Sequence, residues 1–492
     1  MKISTRKKVN EILLTSPSMI WLILWFVIPT VIVFLMAFKP VDAWGGIGSG
    51  WTLQTIRELS NPNYPEIVVR TLALGVGSTL ISILIALPLG YYLARVPKKL
   101  RDLLLLLIII PFWTNFLIRI FAWKVLLHAE GPLARFLIYV GVLPQDATLL
   151  YNPWAVLAVM VYSYLPFAIL PVYAAAEKFD FSLIEAAQDL GATRLQAFFR
   201  VFIPGISRDI WTAIIVVLIP ALGAYLIPDL VGGTASELIG DKIAQRTFID
   251  RNLPHASALS ALLMFVVMIP ILFVVFFTGS RKSITGTRHS RGGETEMKEH
   301  TLTKRSFFPK FVTWATIVFF YIPLLVVAVN SFNQSKGGGV WKGFTFKWYA
   351  QLFSDTRIWE ALRNTLVIAS IATVIATVLG TLCAFALHRY RNRLQKTHYM
   401  LVYLPLIVPD ILRGISMLLL FVLLFAWINP ILRQTTGIRV NLGITTIIIA
   451  HITFCLSYVA MVVLGRLQDF DFSLYEAALD LGQTSSRHFS KS

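Results

Sequence analysis

Charge is scarce in this chain: 14% of its 492 residues are Asp, Glu, Lys or Arg, against 56% that are hydrophobic. Cysteine is rarer still. Its two copies, Cys383 and Cys455, both fall inside apolar stretches, so neither a disulfide framework nor a cysteine-based metal site is indicated. No G-x-x-x-x-G-K-[ST] run occurs, so nucleotide-binding machinery has to come from another polypeptide. There is no His/Asp/Glu cluster with metal-ligand spacing and no nucleophile motif, which ranks a membrane enzyme last among the functional readings. Ten-residue segments of alternating hydrophobicity, the mark of a membrane barrel, are missing as well.

What the chain has instead is long apolar blocks. A hydrocarbon layer about 30 Å thick needs roughly 20 apolar residues in a helix, and ten such stretches lie near 18–38, 68–94, 103–127, 152–176, 208–231, 257–279, 311–332, 362–388, 398–427 and 443–465. In lipid the backbone must satisfy its own hydrogen bonds, so the expectation is an all-α integral membrane protein. The first block is basic and then hydrophobic, but no small-residue cleavage site follows it, and it reads as a retained span.

The formal charge of +18 sits between the apolar blocks and not on a soluble domain, which argues against nucleic acid. Lys2, Arg6, Lys7 and Lys8 precede the first block, Arg95, Lys98, Lys99 and Arg101 follow the second, and Arg389, Arg391, Arg393 and Lys396 follow the eighth. Every second connection is basic, which places the N-terminus in the cytoplasm. One external connection, 333–361, breaks the pattern with four basic residues.

Set against itself at a shift of 294 residues, the chain aligns Pro29 with Pro323, Thr71 with Thr365, Arg95 with Arg389, Pro111 with Pro405 and Arg119 with Arg413. It is a tandem duplication: a first repeat at 1–280, a polar cytoplasmic linker at 281–310 and a second repeat at 311–492. Both repeats enter from the same side, which suggests halves related by an axis along the membrane normal. The first repeat shows six spans and the second four, ten where duplication predicts twelve. The expectation is that this chain transports poorly unless a separate polypeptide completes the second repeat.

After the fourth span of each repeat the same polar stretch appears, FDFSLIEAAQDLGAT from Phe179 and FDFSLYEAALDLGQT from Phe470. Ser182 and Glu185 have capping-box spacing, Gly191 is placed to end a helix of about two turns, and Thr193 with Gln196 offers a second box. Ala186 and Ala187, like Ala477 and Ala478, leave one helix flank bare, open to close approach by another surface. An interfacial helix on lipid headgroups is the alternative; two copies at matching places favour docking of a soluble partner.

E-A-A-x-D-L-G after the fourth span resembles the cytoplasmic coupling loop of ABC importer permeases of type I. Further motifs, Ile109 through Asn115, Leu165-Pro166-Phe167, Asp229 through Gly233, Lys347-Trp348-Tyr349, Pro409-Asp410-Ile411 and His451 through Leu456, resemble the two permeases of spermidine/putrescine importers joined in one chain. The resemblance implies coupling loops at about 177–205 and, in part, 469–492, with Glu185, Ala186, Ala187, Asp189 and Gly191, and again Glu476, Ala477, Ala478, Asp480 and Gly482, as the ATPase-coupling residues. It further implies a cytoplasmic ABC ATPase dimer that uses ATP and Mg, an extracytoplasmic substrate-binding protein, a bacterial inner-membrane location and no cofactor bound by this chain.

A protonated polyamine, a small organic cation, would be held by carboxylates and aromatic faces. Asp410, about twelve residues into the ninth stretch, is either a cation contact or the partner of Arg413 in an internal ion pair. Asp229, Asn115, Tyr162, Tyr225 and Trp348 complete the substrate-path candidates, with solvation, helix packing and interfacial anchoring as their alternatives. A fused permease for another solute such as ferric iron, and a secondary transporter with parallel repeats, are the competing functions.

Overall fold

The structure, a computed structural model, describes residues 2–42, 46–145, 147–279, 307–336 and 340–468. Among these the chain is helical, and its β pairing consists of two isolated antiparallel bridges, Val41 with Ile47 and Asn333 with Phe344. The principal helices are α1 (Lys2–Leu22), continued through a π-turn to Met36, α2 (Asn63–Arg95), α3 (Lys98–Trp113), α4 (Phe116–Leu126), α5 (Pro153–Glu177), α6 (Ser182–Asp189), α7 (Arg194–Ala197) and α8 (Ser207–Leu222). There follow α9 (Leu253–Gly279), α10 (Phe307–Asn330), α11 (Lys347–Ser354), α12 (Thr356–Arg389), α13 (Arg393–Ile407), α14 (Asp410–Thr435) and α15 (Ile444–Gln468). Seven described helices are long and apolar enough to cross a membrane, and up to nine spans result if each of two bent pairs counts as one.

Three of the apolar stretches are not single helices. The stretch at 103–127 bends by 90° between α3 and α4. Thr114 there is extended, with ψ 150°, and the Asn115 side chain accepts from the Leu117 amide at 2.9 Å, opening a new helix. The stretch at 398–427 breaks at the equivalent place: Val408, 294 residues beyond Thr114, has ψ 128° because the ring of Pro409 disfavours helical backbone in the residue before it. Asp410 therefore does not lie twelve residues inside a continuous helix; it is the first residue of α14, where a carboxylate meets the positive end of the helix dipole. The stretch at 208–231 stops at Leu222, with Gly223 at the helix end, and resumes as a π-turn at Pro228–Gly232.

The chain forms two compact units. One holds the N-terminus up to Leu35 with Asp355–Val408 and the chain from Leu412 on. In it α12 lies along α15, and α1 packs on both α12 and α13. Gly380 permits the α12–α15 approach, since a Cβ there would stand 2.7 Å from Val459 Cγ1. Polar pins hold α1. Ser18 Oγ is 3.0 Å from His398 Nε2, which is 3.3 Å from Cys383 Sγ, all three fully buried, and Trp21 Nε1 donates to Thr453 Oγ1 at 3.0 Å. A buried polar group left without a partner costs about 1–3 kcal/mol, so each pin disfavours detachment of the helix.

The other unit holds Met36–Ser354 with Pro409–Ile411. Here α2 lies along α5 and α8, with Gly90 against Val172 and Gly75 against Leu222 at the crossings, where a Cβ would approach within 2.9 and 2.7 Å. Helix α10 packs on α2 and α4, and the Tyr162 hydroxyl donates to the Phe320 carbonyl at 3.2 Å. The compact units and the sequence repeats thus divide the chain differently, because the first helix of each repeat packs among helices of the other repeat.

Candidate functional sites

The loop after α5 is built on an aromatic seat. Tyr91 of α2 meets Phe181, Phe198 and Phe202 edge-on with centroids 5.7, 5.3 and 5.0 Å away, and Phe179 packs on Phe202 at 5.3 Å. Arg95 donates to the Tyr91 hydroxyl at 2.6 Å and lies 5.6 Å from the Phe181 ring, while Arg101 pairs with Glu177 at 3.0 Å. Gly205 completes the seat, since a Cβ there would fall 2.4 Å from Phe179 Cε2.

On this seat α6 is anchored by Ile184, which is buried. The expected Ser182–Glu185 capping box does not form. Ser182 is the first residue of the helix and not its cap, and Asp180 Oδ1 accepts the Ser182 amide at 3.0 Å in its place. The hydroxyl and amide of Ser182 hold the exposed Asp180 carboxyl below the usual carboxylate range. Gly191 then turns the chain with φ +91°, and nothing lies within 4 Å of the position a Cβ would take. The Thr193–Gln196 box forms in both directions, at 3.2 and 2.9 Å, and opens α7.

The outer surface of this knuckle is apolar where a solvated loop would be polar. Leu190 is 90% exposed, and Leu183, Leu195 and Phe199 are exposed with it. Glu185, Ala186, Asp189 and Gly191 share that exposed surface, and Ala187 is half-buried. Capping and small-residue signals do not point to these leucines, although the sequence carries a signal for two of them: Leu183 and Leu190 recur as Leu474 and Leu481. Glu476, Ala477, Ala478, Asp480 and Gly482 lie outside the described residues.

The second candidate lies at the helix breaks. Gly223 abuts Pro409 so closely that a Cβ would sit 2.6 Å from the proline Cβ, which brings the end of α8 to the start of α14. Asp410 is exposed there and within electrostatic reach of Tyr164 and Tyr225. Tyr164 in turn faces Arg119, whose buried guanidinium lies 5.1 and 5.4 Å from the Phe112 and Phe116 rings. Asp229 is exposed in the turn after α8, near Asp241. Burial, then the carboxylates of Asp229 and Glu237, push the Asp241 carboxyl up to about 7 against the opposing effect of Lys242.

The remaining candidates have structural partners. The Tyr162 ring is buried against Trp123 and Phe319, at 5.4 and 5.6 Å, with its hydroxyl on backbone. Asn115 caps α4, and Trp348 Nε1 donates to the Asn333 carbonyl at 2.7 Å. The structure thus brings Asp410, Tyr225 and Tyr164 together around one break, and leaves Trp348 in a separate, exposed segment.

Comparison with known proteins adds four findings. A family model described as a binding-protein-dependent transport system inner membrane component matches residues 86–280. The spermidine/putrescine transport system permease protein PotB of Salmonella typhimurium is 34% identical over 278 residues, 56% of this chain and 96% of that protein. The putrescine transport system permease protein PotI of Escherichia coli is 39% identical over 172 residues, 35% of this chain and 58% of that protein. Among solved structures, a bacterial ABC transporter involved in the import of alginate aligns at 18% identity with a TM-score of 0.47, over 57% of this chain and 100% of that one.

Proposed function

This chain belongs to the inner-membrane permease family of binding-protein-dependent ABC importers, as a transport subunit and not an enzyme, and from that premise we propose that it carries polyamines inward on the stroke of a separate ATPase. The observation that carries the coupling half of the proposal is the exposed apolar knuckle Leu183–Ala186–Leu190 on an aromatic seat, joined to α5 by a four-residue turn and to α8 through α7. A cytoplasmic ATPase dimer closing on ATP and Mg would grip this knuckle and tilt the helices attached to it, exposing a substrate path to each side in turn. The distribution of basic residues supports a cytoplasmic N-terminus and a cytoplasmic knuckle.

The substrate half rests on the permeases PotB and PotI, named for spermidine and putrescine transport, and on the exposed carboxylates of Asp410 and Asp229, which suit a protonated amine. Tyr225 beside Asp410 would add an aromatic face worth about 0.5–2 kcal/mol to a cation. An external binding protein would deliver the substrate. The test is ATPase activity of the chain reconstituted with its ATPase, its binding protein and a polypeptide that completes the second repeat, comparing spermidine, putrescine and ferric iron. Stimulation by the amines alone is expected; stimulation by iron alone, or uptake driven by an ion gradient without any ATPase, would overturn the reading.

A further inference from the structure

The described residues 331–336 and 340–354 lie largely within the connection whose basic residues defy the charge bias, and the transport reading does not use those residues. It begins one residue past the end of α10. Asn333, fully buried, fixes its shape: Nδ2 donates to the Val340 carbonyl at 2.8 Å, Oδ1 accepts the Lys342 amide at 3.0 Å, and the backbone carbonyl accepts Trp348 Nε1. On this frame Phe332 stacks on Phe344 and Tyr349 with centroids 5.3 and 5.2 Å apart, and Phe346 meets Phe344 edge-on at 5.0 Å. The result is a preformed aromatic platform, yet Phe344 and Phe346 are 62% and 63% exposed.

The charge around it has one sign. Lys336, Lys342 and Lys347 are exposed, and no Asp or Glu occurs anywhere in 331–354. Three ammonium groups repel a polyamine, so the platform is no vestibule for the proposed substrate. Aromatic rings at the end of a span belong at the depth where acyl chains give way to headgroups, and lysines beside them at that depth meet lipid phosphate. The first repeat has a counterpart after its own first span, where the Lys39 ammonium lies 4.2 Å from the exposed Trp51 ring.

We propose that residues 331–336 and 340–354 form an interfacial platform that binds anionic glycerophospholipid, with Phe344 and Phe346 in the acyl–headgroup boundary and Lys336, Lys342 and Lys347 on the phosphate. Purified full chain in detergent is titrated with phosphatidylglycerol or phosphatidylcholine, and retained lipid is counted by native mass spectrometry. A lysine near an anionic surface contributes about 1 kcal/mol, a factor of about five. The triple variant K336Q/K342Q/K347Q should therefore bind phosphatidylglycerol at least tenfold more weakly, with phosphatidylcholine unaffected, and the triple Lys→Arg variant should bind as the wild type does. In the wild type itself, retention of phosphatidylglycerol should fall with added salt, a readout that needs no variant. Equal retention by the glutamine variant, no preference between the lipids, or displacement of phosphatidylglycerol by millimolar inorganic phosphate would overturn the proposal. So would capture of a soluble external protein, and not lipid, by a photo-crosslinker placed at Phe346.

Discussion

Gly191 offers a way to weaken the proposed docking without touching the membrane helices. Its φ of +91° is a region that L side chains avoid, while the space around it is empty, so a substitution there is disfavoured by the backbone and not by packing. An alanine forced into left-handed backbone costs roughly 1–2 kcal/mol, a factor of about 5–30 in the equilibrium between the turn and its alternatives. If the ATPase grips the knuckle only in this conformation, its apparent affinity falls by up to that factor, because affinity scales with the competent fraction. Gly191→Asn should fall least, since Asn tolerates this region; Gly191→Ala should fall further, and Gly191→Val furthest, its branched Cβ being the least compatible. The assay is binding of the ATPase to chain embedded in nanodiscs, with thermal unfolding of the membrane helices measured in parallel. A graded loss of affinity at constant unfolding temperature is expected. Equal affinity across the series, or loss that tracks unfolding, would refute the reasoning and return the loop to a purely structural role.

Three further outcomes follow from the same geometry. Gly205→Ala places a methyl 2.4 Å from Phe179 and should destabilise the loop seat by about 1–3 kcal/mol, with Phe179→Leu in the same chain restoring the unfolding temperature. Asp410→Asn removes a charge-assisted contact worth about 1.5–3 kcal/mol and should raise the spermidine KM by more than tenfold, whereas Tyr162→Phe, which loses only a hydrogen bond to the Phe320 carbonyl, should leave that KM unchanged. Asp241, raised to about 7, holds its proton more tightly in the fold than in the unfolded chain; stability from that proton is full below about pH 4 and lost as pH rises through about 7. Thermal unfolding should therefore show lower stability at pH 8 than at pH 5, and Asp241→Asn should flatten that difference.

What the sequence reveals and hides about this protein follows from what lipid selects. Apolar length is imposed by the bilayer, so the helical class and most spans stand out in composition alone, and the duplication adds the equivalence of the two repeats. Breaks inside spans are harder to see because hydropathy averaged over a span runs straight through them: Leu406-Ile407-Val408 is as apolar as the rest of the stretch, and only the restriction that Pro409 places on the residue before it, with the charged Asp410 following, betrays the interruption. The cap of α6 was ambiguous for a different reason. Asp180 and Ser182 both have an acceptor in reach of the first turn, and the backbone chose the carboxylate, with Ser182 supplying the donor.

The exchange of first helices between repeats is the least legible feature, and its cause lies in the solvent. Lipid tails solvate a leucine face about as well as another helix does, so an apolar helix surface carries almost no record of which neighbour it will choose. The choice falls to the few polar groups that lipid cannot satisfy. Ser18 reaches His398 across 380 residues and Trp21 reaches Thr453 across 432, while on the other unit Tyr162 finds the Phe320 carbonyl across 158. Each pin disfavours any arrangement that would leave it unpaired in hydrocarbon. In the proposed stroke α10 would move with α5, because the Phe320 carbonyl of α10 accepts from Tyr162 on the helix that ends at the loop.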